Sequence, residues 1–196
     1  MSECDALEYY IFGLIALLLG SVFYNLKQKQ ELKNTKERDA ILIKRAYFNP
    51  LTDLPNRRNL DIMLEEQIHR AKRREKGFLL AVVKLINYHD INLRSSALAK
   101  EFIIEAGTRI TDSVRDEDIV AHTTENGFVI LFNEYLEEDN YQILFDRIQN
   151  AFVDYLEINS KTRLNFKIHI GQAEFLKDAT SGEGLINEAT RRALKN

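Results

Sequence analysis

Near its start the chain has a long uncharged stretch, and a polar segment and then shorter apolar patterns follow it. Residues 9–25 read YYIFGLIALLLGSVFYN and contain no Asp, Glu, Lys or Arg. This length is close to the lower limit for a helix that spans a bilayer, about 17 to 25 residues. Aromatic side chains stand at both ends of the stretch, as in the interfacial belts of membrane helices. The pattern predicts a transmembrane helix at residues 9–25.

The charges on either side of this stretch predict its orientation. Three acidic residues precede it, and five basic residues lie between positions 27 and 38. The positive-inside rule therefore places residues 1–8 outside the cytoplasm and residues 26–196 inside. A signal peptide would begin with basic residues, and a buried core helix would show a polar stripe. We expect a single-pass membrane anchor.

Residues 26–46 are rich in Lys, Glu, Gln and Leu and contain no Pro or Gly. These are good helix formers, so the segment predicts a helix that continues from the anchor. Its apolar residues do not follow a heptad repeat, which argues against a long coiled coil. We interpret this segment as a charged, solvated helical stalk.

From residue 47 onwards, apolar residues recur alternately with the periods of helices and strands. The predicted helices are residues 57–75, 95–114, 140–158 and 183–195. The predicted strands are residues 78–86, 119–122, 128–133 and 164–175. Asn126-Gly127 is a strong signal for a hairpin between the second and third strands. The order predicts an α+β fold, a ferredoxin-like βαββαβ sandwich with flanking helices.

Composition narrows the classes of function. The 196 residues include 27 basic and 30 acidic side chains, for a formal net charge of −3. This balance gives no argument for nucleic acid as a partner. The single cysteine, Cys4, excludes an intrachain disulfide and a cysteine-built zinc site. The four histidines are scattered, with no spacing typical of a metal site.

Residues 48–61, FNPLTDLPNRRNLD, resemble the entry motif of GGDEF domains, the diguanylate cyclases. The elements that follow, up to the strand IGQAEF, come in the order of that family, so the resemblance covers residues 47–196. It implies a GGDEF-type sandwich from a family that condenses two GTP molecules into cyclic di-GMP. It also implies a bacterial inner membrane as the location of the anchor.

The first strand departs from the family pattern at its end. In the family this strand ends in an Asp-x-Asp pair, whose first Asp binds Mg²⁺. Lys84 and Ile86 stand at those two positions. Neither an ammonium nor an aliphatic side chain can ligate a cation.

The signature of the family is also replaced. In its place stand Thr124, Glu125, Asn126, Gly127 and Phe128. The resemblance assigns the hairpin's metal ligand to Asn126 and the catalytic acid to Gly127, which has no side chain. Thr124 and Glu125 replace glycines that let the triphosphate approach the backbone, and a carboxylate repels phosphate. The last helix also stops before the family's basic phosphate contacts. We therefore expect no enzyme activity, no metal and no other cofactor.

Two positions match the guanine contacts of the family. Asn92 corresponds to its guanine-binding Asn, and Glu101 stands where an Asp reads the edge of the base. The resemblance implies a residual guanine contact at both residues. The alternative interpretation is local, because Asn favours turns and Glu favours exposed helices.

Arg115 and Asp118 match the Arg-x-x-Asp motif of the family's inhibitory site, which binds cyclic di-GMP. Five residues, 119–123, separate Asp118 from Thr124, and this register fits the family. Arg presents a planar fork to phosphate or guanine, and a carboxylate accepts from guanine N–H groups. Alternatively, Arg115 only closes a helix and Asp118 only begins a strand. The adjacent Asp116 and Glu117 disfavour an anionic ligand.

Lys84 also has two interpretations. Its long side chain can extend to the rim of the sheet, with the ammonium in water. The sharper hypothesis is that the ammonium replaces the charge of the metal and pairs with Glu125 across the former active site.

Two classes of function follow from these observations. The first is a catalytically inactive, membrane-anchored scaffold or regulatory subunit, whose partner is a membrane protein complex or a second copy of the chain. The second is a cyclic di-GMP receptor that uses Arg115 and Asp118. The acidic neighbours of Arg115 favour the scaffold.

Overall fold

The protein is represented by a computed structural model that describes residues 3–133, 138–159 and 162–195. The chain divides into two compact units, residues 1–46 and residues 47–196. Each unit is described by itself.

The first unit lies in a single helix, α1, Glu3–Tyr47. The predicted transmembrane helix, residues 9–25, falls within α1, but the side chains of residues 9–16, 18, 19 and 22 lie outside those described. Among the described residues, no helix combines the length and the apolar character that crossing a bilayer requires. The structure does not support that part of the prediction.

The second unit is built around a four-stranded antiparallel sheet in the order β2-β3-β1-β6. Its strands are β1 (Leu79–Leu85), β2 (Ile119–Thr124), β3 (Gly127–Leu131) and β6 (Ile168–Glu174). A separate two-stranded hairpin consists of β4 (Leu156–Asn159) and β5 (Thr162–Leu164). This arrangement confirms the predicted α+β sandwich.

Helices cover both faces of the sheet. They are α2 (Arg57–Arg74), α3 (Tyr88–Arg94), α4 (Ser96–Ser113), α5 (Glu138–Asn150) and α6 (Gly182–Ala193). Because side chains alternate along a strand, β1 sends Val83 to one core and Val82 to the other. The first core contains α4 and α5, and the second contains α2 and α6.

The predicted helix over residues 140–158 is too long. Helix α5 ends at Asn150, and a strand begins at Leu156. Arg109 of α4 donates hydrogen bonds to the carbonyl groups of Ala151, Asp154 and Tyr155. The carbonyl groups that would accept the hydrogen bonds of a continuing helix are therefore bound by Arg109. This residue, which is distant in sequence, ends α5 at Asn150.

The predicted strand over residues 164–175 is interrupted. Strand β5 ends at Leu164 and β6 begins at Ile168. The Asn87 amide donates to the Asn165 carbonyl at 2.7 Å, and its Oδ1 accepts from the Lys167 N–H at 3.2 Å. The loop between the strands is thereby attached to the end of β1 instead of continuing a ladder. Helix α3, which was not predicted, buries only Ile91, too little to produce a periodic pattern.

Helix α2 offers a test of local backbone strain. Its C-cap, Glu75, has φ 53° and ψ 35°, the left-handed conformation that glycine adopts without strain. Glu75→Gly is expected to raise the free energy of unfolding by about 0.5–1 kcal/mol, because glycine has no Cβ atom to strain the left-handed backbone. Urea unfolding measures this change. Glu65→Gly, at an exposed interior position of α2, is the control and should lower the same free energy by about 1 kcal/mol.

Candidate functional site

The entry segment, residues 48–56, folds into a loop attached to the edge of β2. Asn49 Oδ1 accepts a hydrogen bond from the Leu51 N–H at 2.9 Å, which closes the turn. The Pro55 carbonyl accepts from the His122 N–H at 2.9 Å. The loop therefore brings the start of α2 beside the hairpin that carries the signature positions.

A groove of about 580 Å³ lies between this loop, the start of α2 and the hairpin. Two rings, Tyr88 and His122, and two guanidinium groups, Arg57 and Arg58, line it. Its volume lies within the usual range for small-ligand sites. Sequence reasoning missed this groove because its residues come from four separate segments of the chain. The one available signal was the entry motif itself.

His122 is a buried wall of this groove and is only 5% exposed. Its ring stacks on Phe128 at 4.7 Å, and its Nδ1 lies 3.1 Å from the Thr52 hydroxyl. Nε2 is buried and lies beside the backbone of Thr124 and Glu125. Burial lowers the pKa of this imidazole, which keeps the ring neutral at neutral pH.

The hairpin is tighter than the sequence predicted. Strand β2 extends to Thr124 and β3 begins at Gly127, so the turn consists of Glu125 and Asn126 alone. Gly127 pairs with Thr124 on one side and with Lys84 on the other. The sheet thus brings together the two positions that the resemblance assigns to a metal ligand and to the catalytic acid.

Lys84 fills the space between these positions. Its Nζ donates to the Thr124 hydroxyl at 2.9 Å. A Cβ atom added at Gly127 would lie 2.7 Å from this Nζ and would also overlap the Thr124 hydroxyl. A side chain at position 127 therefore requires the Thr124 hydroxyl and the flexible end of Lys84 to shift.

The predicted ion pair between Lys84 and Glu125 is wrong. Among the described residues, the partner of the ammonium is the neutral Thr124 hydroxyl, because Thr124 lies across from Gly127 while Glu125 is in the turn. Burial lowers the pKa of Lys84. Burial and the charge of Glu125 both raise the pKa of Tyr88.

The remaining signature positions have structural contacts. The Asn126 amide donates to the Leu85 carbonyl at 3.2 Å, and the Leu85 N–H donates to the Asn126 carbonyl at 2.9 Å. Asn126 thus ties the turn to the end of β1. Phe128 is fully buried in the core beneath α4.

The two guanine-contact candidates lie on consecutive helices. Asn92 is exposed on α3 and Glu101 is exposed on α4. The structure brings neither side chain into a hydrogen bond with the hairpin among the residues it describes. Their role in binding guanine stays a prediction.

Arg115 and Asp118 occupy the turn between α4 and β2. The Asp118 carboxylate accepts from the backbone N–H groups of Arg115 and Asn133, both at 3.1 Å. The Arg115 guanidinium lies 3.8 Å from the Glu117 carboxylate, and both side chains are about half exposed. Asp118 therefore stabilises the turn, and an acidic neighbour already approaches the cation.

The arrangement of donors does not suggest a metal site. Across residues 3–133, 138–159 and 162–195, no group of three or more His, Cys, Asp or Glu side chains is placed to hold an ion. At the position that the resemblance assigns to a metal, the structure has a cation.

Lys84→Met is expected to raise the thermal midpoint at pH 7, because methionine fills the same space without burying a charge. The pKa of Lys84 is lower in the folded chain than in the unfolded chain, so the unfolded chain binds more protons between the two values. The stability of the natural chain therefore rises relative to the variant as the pH increases through this window towards 10.5, the value of the unfolded lysine. Thermal unfolding at several pH values measures the difference, and a variant that is less stable at pH 7 would show that the ammonium stabilises the site.

A family model, described as the GGDEF domain of diguanylate cyclases, matches residues 46–196. Two curated relatives also match. The chain is 34% identical over 91 residues to MucR of Pseudomonas aeruginosa, a bifunctional diguanylate cyclase and cyclic di-GMP phosphodiesterase. It is 24% identical over 139 residues to the diguanylate cyclase DgcP of Escherichia coli. These alignments span 46% and 69% of this chain but only 13% and 40% of the two relatives.

Solved structures show the same fold at low sequence identity. The GGDEF domain of YfiN from Pseudomonas aeruginosa has a TM-score of 0.72 at 19% identity and covers 76% of this chain and 87% of its own. The coiled coil and GGDEF domain of DgcB from Caulobacter crescentus, solved with cyclic di-GMP, has a TM-score of 0.74 at 17% identity. It covers 86% of this chain and 89% of its own.

Proposed function

Because the chain belongs to the family of GGDEF diguanylate cyclase domains, we propose that this member does not condense GTP. It acts instead as a scaffold or regulatory subunit in a bacterial inner-membrane assembly. The observation that carries this proposal is the position of Lys84. Its ammonium, at the position that the resemblance assigns to a metal ligand, lies beside Gly127, the position that the resemblance assigns to the catalytic acid.

Phosphoryl transfer explains why this substitution matters. The reaction needs cations that neutralise developing charge and a group that activates the attacking hydroxyl. A lysine supplies one positive charge without the coordination sites that align two phosphates. Gly127 offers no group to accept a proton, and Lys84 occupies the space from which such a group would act.

The membrane location is part of the proposal and rests on the sequence. The uncharged stretch at residues 9–25 and the basic residues after it support an anchor with the GGDEF domain in the cytoplasm. Membrane fractionation of cells that express the full chain tests this. Recovery in the membrane pellet after a carbonate wash is the expected result, and recovery in the supernatant would contradict it.

A scaffold must be found together with its partner. We expect the full chain, cross-linked in its native membranes and then purified, to migrate as a complex of defined stoichiometry. The same complex should form when Asn92 and Glu101 are replaced by alanine, because a scaffold does not depend on guanine contacts. Migration as the free chain alone, at every cross-linker concentration, would contradict the proposal.

A cyclic di-GMP receptor is the second candidate. The exposure of the Arg115 guanidinium, 42%, and the register of its motif support this function. Calorimetric titration of the full chain with cyclic di-GMP tests it. Binding that Arg115→Ala abolishes and Arg163→Ala preserves would establish a receptor, because Arg163 is an exposed arginine on a different hairpin. Absence of heat would exclude the receptor and leave the scaffold as the one remaining candidate.

A further inference from the structure

A second groove runs along the outer edge of β6, far in sequence from the signature. Strand β6 is the last strand of the four-stranded sheet, with α5 on one face and α6 on the other. Two adjoining cavities of about 510 and 360 Å³ share Gln172 and Arg192 in their linings. We call this continuous space the β6 groove.

The two walls of the β6 groove differ in chemistry. The α5 wall is uncharged and consists of Gln142, Phe145 and Gln149, which lie on one face of that helix. The other wall is basic and consists of Arg191 and Arg192 of α6 and of Lys195, which follows that helix. An extended chain that lay between them would meet an apolar and amide surface on one side and cations on the other.

The basic wall has more positive than negative charge. Arg191 pairs with Glu188, and Arg192 pairs with Asp178 at 2.7 Å and with Glu188 at 2.8 Å. Lys195 is exposed and has no ion pair among the described residues. Lys177 and Glu174, which line the smaller cavity, pair with each other at 3.5 Å. Among the described residues, four cations therefore face three carboxylates, in a chain whose overall charge is negative. An acidic ligand gains from this excess, and a basic ligand is repelled.

The floor of the groove includes Gln172 of β6, whose backbone groups point away from β1, as the hydrogen bonds at the two ends of the ladder show. The Phe175 N–H bonds to the Phe78 carbonyl, and the Ile86 N–H bonds to the Lys167 carbonyl. Because inward and outward residues alternate in an antiparallel ladder, Gln172 directs its N–H and carbonyl outward. Arg192 donates to that carbonyl at 2.9 Å, whereas the Gln172 N–H has no partner in the described part of the chain.

We infer that the β6 groove binds an extended segment of a partner protein in which acidic side chains alternate with apolar ones. This inference rests on the proposed scaffold role and names the chemistry of its partner. A carbonyl of the segment accepts from the Gln172 N–H, as in strand addition at a sheet edge. Because strand side chains alternate, the apolar ones face α5 and the acidic ones face Arg191 and Lys195.

Arg192 accounts for selectivity at this edge. Natural sheet edges carry charged side chains that prevent unselected strands from pairing. The Arg192 guanidinium occupies the Gln172 carbonyl, so an incoming strand cannot donate to that carbonyl, and a strand that carries cations is repelled. A segment with carboxylates can pair with the cations of the basic wall while one of its carbonyls accepts from the Gln172 N–H.

The probe is a fluorescently labelled hexapeptide of alternating glutamate and valine, titrated with the full chain in detergent. We expect saturable binding below about 1 mM that weakens as salt is added. A hexapeptide of alternating lysine and valine should not bind. Absence of saturation with the acidic peptide, or equal affinity for both peptides, would overturn the inference.

Two variants separate the backbone contact from side-chain effects. Gln172→Pro removes the outward N–H but no inner ladder bond, and should weaken binding about tenfold, since the peptide carbonyl loses its donor. Gln172→Ala keeps the N–H and should bind as the natural chain does. Unchanged binding by folded Gln172→Pro would overturn the proposed mode.

Charge reversal provides a second route if the proline variant does not fold. Lys195→Glu should lose the acidic peptide and gain affinity for the lysine peptide, and retained preference for the acidic peptide would overturn the inference. The result is independent of catalysis. Turnover of GTP would end the scaffold proposal without affecting peptide binding, whereas an inactive chain that binds no peptide would end only the present inference.

Discussion

Replacing Gly171 by alanine is expected to lower the free energy of unfolding by about 3 kcal/mol or more, because α6 leaves no room for a methyl group there. An added Cβ would overlap the Ala189 carbonyl oxygen and the Ala193 nitrogen and would lie 3.0 Å from the Ala193 Cα. All three are backbone atoms, which cannot rotate aside. The helix would have to move away from β6 and expose part of the second core.

Urea unfolding monitored by circular dichroism measures this loss. Gly20→Ala is the matched control, since nothing lies within 4 Å of a Cβ at that position. The control should not lower stability, because alanine is the better helix former in α1. A Gly171→Ala chain as stable as the natural chain would show that α6 does not pack on β6 as described.

Replacing Arg109 by alanine is expected to cost about 3 kcal/mol, since several contacts and a buried stem are lost together. The guanidinium pairs with Glu105 at 2.8 Å and donates to the carbonyl groups of residues 151, 154 and 155. It also lies over the Phe166 ring at 4.6 Å. The side chain is only 16% exposed, so water does not replace these contacts easily.

Arg163 is the control for this second experiment. It also has a carboxylate partner, Glu157, and an aromatic partner, Tyr155, but its side chain is 59% exposed. Arg163→Ala should therefore cost less than about 1 kcal/mol. Arg109→Lys should fall between the two, because lysine keeps the charge and loses the planar fork. Equal losses for Arg109→Ala and Arg163→Ala would contradict the role assigned to Arg109.

The elements that the sequence predicted correctly are those with periodic burial. Helix α2 repeats its buried residues every three or four positions, and β1 is a nearly continuous apolar run, so both have a local signal. The errors occur where a distant polar group decides the structure. Arg109 ends α5, and Asn87 separates β5 from β6; no window of neighbouring residues contains that information.

In the candidate site too, the sequence predicts local features and does not predict contacts that form only on folding. The expectation that residues 124–128 depart from the family signature comes from the sequence alone. The partner of Lys84 could not be predicted in this way, because the choice between Thr124 and Glu125 depends on the exact length of the hairpin turn. The groove beside His122 was also out of reach, since the entry loop, α2, α3 and the hairpin meet there only after folding.

The proposal that this chain does not condense GTP is tested most directly by an assay of the purified full chain. The chain is incubated with GTP and Mg²⁺, and the products are separated by chromatography. Lys84 in place of a metal ligand and Gly127 in place of an acid predict no cyclic di-GMP above a boiled control. An active relative assayed in the same buffer confirms that the conditions support the reaction. Cyclic di-GMP that accumulates in proportion to the protein, and that disappears in Asn126→Ala, would contradict the proposal that this chain does not condense GTP.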